Sequence, residues 1–205
     1  MSFSVFCGGQ LETNAYFLKS AKGVLCFDAP EGTLDELIEK GLQVESLILT
    51  HGHFDHIWDA AAIQKQFDCP VWIHEKDAFM VEDPKVFSMW GIPPIPPVQN
   101  PKRLPVEEKS SGSWSCGGID FTLFHIPGHS PGSVAFYEAK EGRLIGGDIL
   151  FAGGIGRWDL PGGNEKDLVT GIRKHLMSLP ETVKVYPGHG PATTIGQEKK
   201  TNPYL

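Results

Sequence analysis

Apolar positions cluster at the two ends of the chain with strand-like spacing. Near the N-terminus, "FSVF", "NAYFLKS" and "GVLCFDA" alternate or run apolar between glycine-bearing turns, which predicts three strands. The pattern then shifts to helical spacing in "GTLDELIEKG". There Leu34, Leu37 and Ile38 share a face, Thr33 and Glu36 have capping-box spacing, and Gly41 can close the C-terminus. "SLILT" predicts a buried strand, His56, Ala60, Ile63 and Phe67 recur at helical spacing, and "CPVWIHE" predicts another strand. Later, "GGIDFTLFHIP", "SVAFYEA", "GRLIGGDILF" and "VKVYPG" read as strands. "GNEKDLVTGIRKHLMSLP" reads as a helix capped by Asn164 and stopped by Pro180. No internal repeat and no linker divides the chain, so residues 1–205 read as one domain.

The segment Pro84–Pro105 differs in kind. Its prolines exclude a regular helix or a central strand, and it carries Phe87, Met89 and Trp90. It is either a lid over a pocket or a loop whose aromatics pack on the domain.

Composition narrows the class. With 205 residues, 40% apolar and 21% charged, the chain can bury a sizeable core. A net charge of −7 argues against nucleic acid or an anionic membrane as partner. Cys7, Cys26, Cys69 and Cys116 are far apart and form no C-x-x-C pair, which predicts free thiols in a reducing cytosol. The N-terminus has neither the basic nor the long apolar stretch of a secretory signal, and no run is long enough to span a membrane. The expectation is a cytoplasmic protein, a monomer or small homo-oligomer.

One stretch, "THGHFDHIWD", crowds His51, His53, Asp55 and His56 into six positions. Imidazoles with a carboxylate are the ligand set of a borderline or hard divalent metal. Three later stretches end a predicted strand in glycine and a ligand-type residue: "HIPGHSPGS" with His129, "LIGGDILF" with Asp148, and "VYPGHGPAT" with His189. Strand ends place such residues along one edge of a sheet, where separate loops converge. Five histidines and two aspartates suit two adjacent ions, with Asp148 bridging through its two oxygens. His74 and His125 are expected to be satisfied by local hydrogen bonds, and His175 to be solvated on an amphipathic helix.

In order, "THGHFDH", "PGHSPGS", "GGDILF" and "YPGHG" resemble the metallo-β-lactamase superfamily over nearly the whole chain. The resemblance implies an α/β fold, a four-layer αβ/βα sandwich, with a dinuclear site at one edge between its sheets. It implies that His51, His53 and His129 hold one ion, that Asp55, His56 and His189 hold the other, and that Asp148 and a hydroxide bridge them. Asp55 is a ligand on this account, with a secondary part in proton transfer. Several lactamases place a cysteine where this chain has Asp148; the full His-and-Asp set is closer to glyoxalase II and its short bacterial relatives.

The activity so implied is hydrolysis of a small-molecule thioester, with a glutathione derivative as candidate. Hydroxide held by two divalent ions, zinc first with iron or manganese accepted by the same donors, would attack the carbonyl. Full-length glyoxalase II continues into a helical glutathione-holding domain that this sequence does not show. Arg157 is expected near the substrate's carboxylate, or else as a structural tie, and Trp90 in the substrate wall. The main alternative is a persulfide dioxygenase using one iron on His51, His129 and Asp148. Lactonase or phosphodiesterase activity is weaker.

Overall fold

A computed structural model describes residues 3–205. It divides into two compact units: the first runs to Leu104 and includes Cys116–Gly118, and the second holds Pro105–Ser115 and Ile119–Leu205.

The first unit is built on a six-stranded mixed sheet in sequential order. Strands β1 (Phe3–Gly8), β2 (Thr13–Lys19) and β3 (Val24–Phe27) are antiparallel neighbours. β4 (Val44–Ile48), β5 (Val71–Ile73) and the edge strand β6 (Lys102–Arg103) continue parallel to β3. Parallel strands buried on both faces read as continuous apolar runs, as "VLCF" and "SLIL" do. Helices α1 (Thr33–Glu39), α2 (Phe54–Ile57), α3 (Ala60–Phe67) and α4 (Ala78–Glu82) belong to this unit. Leu37, Ile57, Ile63 and Val81 join Phe17, Cys26, Leu47 and Ile73 in one core.

Two helix expectations need correction. Thr33 does not cap α1. Gly32, at φ 91°, stands there instead; the Thr33 hydroxyl donates to Pro30 O at 2.7 Å, and Leu34 N–H is taken by Asp59 Oδ2 at 3.0 Å. A carboxylate from elsewhere in the chain has displaced the local box, because Thr33 is more useful pinning the preceding turn. The helix expected from His56 to Phe67 is broken at Trp58–Asp59, where Asp59 N–H turns back to Ala29 O at 2.9 Å.

The proline-rich segment is partly helical after all. Pro84–Trp90 forms a 3-10 helix with Pro84 in its first turn, where a missing N–H costs nothing.

The second unit holds the sheet β14–β13–β10–β9–β8–β7. Its strands are β7 (Ser111–Cys116), β8 (Ile119–His125), β9 (Val134–Glu138), β10 (Arg143–Gly147), β13 (Lys184–Pro187) and β14 (Thr193–Thr194). A short hairpin pairs β11 (Leu150–Phe151) with β12 (Gly154–Ile155). Helix α5 (Glu165–Gly171) starts on the Asn164 cap, whose side chain accepts from Asp167 N–H at 3.0 Å, and runs into a π-helical turn, Ile172–Leu176. Leu168, Ile172 and Leu176 pack on Ile126, Leu144 and Val185. His175 is buried rather than solvated, against the Phe124 ring at 5.3 Å, because the π-helical turn rotates it toward the core. The C-terminal helix α6 (Ile195–Thr201) and strand β7 carry too few apolar residues to have been visible in the sequence.

All four cysteines are free thiols. Among the described residues, no helix is long and apolar enough to cross a membrane.

Candidate metal centre

In the first unit, β3 and β4 are parallel, so their C-terminal ends share one edge. Asp28 follows β3 and Thr50–His51 follow β4. Asp28 lies in the left-handed region, φ 58°, and its N–H donates to Ile48 O at 2.9 Å. The turn aims its buried carboxylate along the edge. Oδ1 accepts Thr50 N–H at 2.7 Å, and Oδ2 accepts the Thr50 hydroxyl and His56 Nδ1–H, each at 2.8 Å.

That network fixes two tautomers. A threonine hydroxyl has one proton, here given to Asp28, so its oxygen accepts from His51 Nδ1–H at 3.1 Å. His51 and His56 therefore both carry the proton on Nδ1 and leave Nε2 as a bare lone pair, the form a metal requires. Their rings are 4.1 Å apart, and the His53 ring stands edge-on to His51 at 4.7 Å. Gly52 between them donates its N–H to Asp77 Oδ2 at 2.9 Å. A Cβ there would lie 3.0 Å from the Asp77 carbonyl, so the turn admits only glycine without displacement. Asp55 Oδ2 accepts the Thr13 hydroxyl at 2.8 Å and lies 3.4 Å from His56 Nε2.

In the second unit, β9 is antiparallel to both β8 and β10, and β13 is parallel to β10. β8, β10 and β13 thus point the same way, and His129, Asp148 and His189 follow their C-terminal ends. Gly188 N–H donates to Gly147 O at 2.8 Å, holding the last two loops together. Asp148 Oδ2 lies 3.4 Å from His129 Nε2 and 3.4 Å from His189 Nε2. His129 Nδ1–H donates to Arg157 O at 2.8 Å, so its Nε2 is also the bare nitrogen. The loop carrying Arg157 passes so close that a Cβ on Gly156 would sit 1.9 Å from Asp148 O and 3.1 Å from His129 Cβ.

The repeated 3.4 Å spacing is informative. It exceeds the 2.7–3.2 Å range of an N–H···O bond. Two donors each about 2.0–2.2 Å from one tetrahedral ion stand roughly 3.3–3.5 Å apart. Bare imidazole nitrogens and carboxylate oxygens at that spacing fit a divalent metal. Among the described residues, the groups of donor atoms close enough to share an ion are drawn from His51, His53, Asp55, His56, His129, Asp148 and His189.

Arg157 and Trp90, the two residues expected at the substrate, make the following contacts. The Arg157 guanidinium makes a two-point pair with Asp159, both bonds 2.8 Å, on an exposed surface, while its backbone carbonyl orients His129. Trp90 turns back onto the buried Phe87 ring at 5.7 Å, and Phe87 meets Phe54 at 6.0 Å. The first unit holds a cavity of about 580 Å³ lined by Asp55, Phe54, Trp58, Leu11 and Ile92 among others; Trp90 is not in its wall. His125 behaves as expected, its Nδ1 accepting from Lys109 N–H at 2.8 Å and its Nε2–H donating to Pro131 O at 2.9 Å. His74 Nδ1 accepts from Lys76 N–H at 3.2 Å. Sequence reasoning missed Asp28, Thr50, Thr13 and Asp77. Asp28 had a signal, since it closes the apolar run "VLCF" as Asp148 closes "RLIGG".

The metallo-β-lactamase superfamily model matches residues 8–189. A probable metallo-hydrolase of Bacillus subtilis, YqgX, is 38% identical over 96% of this chain and 94% of its own. The hydroxyacylglutathione hydrolase GloC of Haemophilus influenzae is 36% identical over 86% of this chain and 84% of its own. Among solved structures, that of the B3 metallo-β-lactamase BLEG-1 superposes with a TM-score of 0.89 at 39% identity, covering 99% of both chains. That of TTHA1623 in a di-iron-bound form gives 0.84 at 39% identity, covering 98% of this chain and 100% of the other. The fold is therefore the metallo-β-lactamase type that the motifs implied. With the family model spanning both clusters and the structural likeness spanning the whole length, the chain belongs to the metallo-β-lactamase superfamily.

Proposed function

We propose that residues 1–205 form one catalytic domain, a dinuclear metallohydrolase that cleaves a small-molecule thioester in the manner of glyoxalase II. His51, His53 and His129 would hold one ion, and Asp55, His56 and His189 the other. Asp148 would bridge them. The observation that carries this reading is Asp148 Oδ2, which stands 3.4 Å from the bare Nε2 of His129 and 3.4 Å from Nε2 of His189. Those two imidazoles belong to different ions in the proposed assignment. An Asp148 oxygen facing both imidazoles supports a bridging role for that residue.

Bound divalent ions would supply a Lewis acid for the carbonyl and lower the pKa of water toward neutrality. The chain's own residues prepare for that chemistry. Asp28 holds His56 directly, and His51 through Thr50, in the Nδ1–H tautomer, so neither must shift a proton before binding. The Thr13 hydroxyl orients Asp55, and the Arg157 carbonyl orients His129. A thiolate leaves readily, so the mechanism does not demand a dedicated general acid. Zinc is the metal we propose first; the di-iron form of TTHA1623 supports iron as the alternative.

The name of GloC supports a thioester, and that of BLEG-1 supports a β-lactam as a second reading. The test is hydrolysis by metal-loaded protein of a lactoyl thioester, a chromogenic β-lactam and a phosphodiester side by side, with sulfite production from a glutathione persulfide as a fourth arm. The proposal expects thioester cleavage to exceed the others by at least about tenfold in kcat/KM. Faster β-lactam cleavage, or sulfite with oxygen uptake, would replace it.

A further inference from the structure

The cavity of about 580 Å³ within the first unit has Asp55 in its wall, so it opens on a residue of the proposed centre. Its other walls come from three places. The β1–β2 turn supplies Gly8–Leu11, the helix after the histidines supplies Phe54 and Trp58, and the end of the proline-rich segment supplies Gly91–Pro93. Leu11, more than half exposed, forms an apolar lip at the turn. The two charged residues in the wall, Asp55 and Glu31, are both acidic. Asp55 accepts the Thr13 hydroxyl and is a proposed metal ligand, which leaves Glu31 as the charge a ligand would meet.

We infer that this cavity takes the thiol half of the substrate, and that Glu31 with its apolar wall selects a thiol without carboxylates over glutathione, whose net charge is negative. The inference rests on the thioester reading for its substrate class. Cavities of roughly 300–1,000 Å³ hold drug-sized groups, and a small hydroxyacyl group fills only a fraction of this one, so the larger thiol half belongs there. Glutathione brings two carboxylates. Pushed toward Glu31 at a partly solvated site, one such like-charge contact lowers affinity by roughly three- to tenfold. A neutral amide-bearing arm keeps the contacts with Leu11, Trp58 and Ile92 and avoids that loss.

The test separates binding from turnover by using thioethers that cannot be hydrolysed. S-hexylglutathione and the S-hexyl thioether of N-acetylcysteamine are titrated by calorimetry into metal-loaded wild type, Glu31→Gln and Glu31→Lys, each checked for an unchanged melting curve. The neutral thioether should bind wild type at least about fivefold more tightly. That preference should vanish in Glu31→Gln and reverse in Glu31→Lys. Equal binding of the two ligands by wild type, binding of neither, or a preference indifferent to residue 31 overturns the inference. Thioesters of the same two thiols are then assayed. The predicted binding pattern without thioester cleavage leaves the cavity assignment standing and removes the thioester reading. Rapid cleavage of the glutathione thioester, unaffected by residue 31, does the reverse.

Discussion

Asp28→Asn is the most revealing single change, because it preserves shape and reverses hydrogen-bond polarity. Asparagine tolerates the left-handed backbone at φ 58°, so no strain is added. If its oxygen keeps Thr50 N–H, its NH2 group faces the Thr50 hydroxyl and His56 Nδ1, where the carboxylate accepted two protons. The opposite rotamer sets NH2 against the Thr50 N–H. The first arrangement loses or reverses two bonds to a buried charge and the second loses one, each worth about 1.5–3 kcal/mol. His56 can recover one by moving its proton to Nε2, which removes the lone pair it would offer a metal. The expected result in metal-free protein is a loss of about 3 kcal/mol, which lowers Tm by roughly 6–12 °C for a chain of this size. Metal affinity should fall about 10–100-fold, the usual cost of losing a partner that orients a ligand. Thermal melts of the apo protein and chelator competition measure the two effects, and nitrogen NMR of His56 reports the tautomer. A variant melting within 2 °C of wild type with unchanged affinity would show that Asp28 does not set the ligand geometry.

Gly156→Ala should destabilise by about 3 kcal/mol or more in chemical denaturation, since its Cβ would fall 1.9 Å from the Asp148 carbonyl. An intact variant with wild-type stability would mean the loop can move aside. Trp90→Ala should lower Tm while leaving kcat/KM within about twofold, because Trp90 packs on Phe87. Ile92→Ala, in the cavity wall, should cost about 1–2 kcal/mol in kcat/KM on a bulky thioester. Burial, followed by Lys174, holds His175 below its ordinary 6.5, so the unfolded chain takes up the proton first. The stability His175 contributes is present above pH 6.5 and is lost as pH falls through its folded value. His175→Leu should therefore retain more of its neutral-pH stability in urea melts at pH 5 than wild type does.

The candidate ligands were legible because they announce themselves chemically. His51, His53, Asp55 and His56 are costly in a core and needless on a surface, and His129, Asp148 and His189 each close a strand ending in glycine. Strands read well where both faces are buried, as in "VLCF". The edge strand β7, "SGSWSC", alternates exposed with half-buried positions and gave no apolar signal. What lay beyond the sequence was every contact made across distance. Thr33 looked like a cap until Asp59, twenty-five residues beyond Leu34, took the Leu34 N–H. Arg157 read equally as a substrate arginine or a structural tie, and only the structure shows its guanidinium paired with Asp159, two residues on. Asp28 is a single letter at a strand end, and only the parallel pairing of β3 with β4 shows that it faces Thr50 and His56.

The central claim is that two ions sit on one chain with Asp148 between them. Elemental analysis of metal-replete wild type and Asp148→Ala, alongside circular dichroism to confirm folding, tests it most directly. The account predicts two metals per chain in the wild type, and a folded variant retaining fewer than one. One metal per chain in the wild type, or two in the variant, would contradict it.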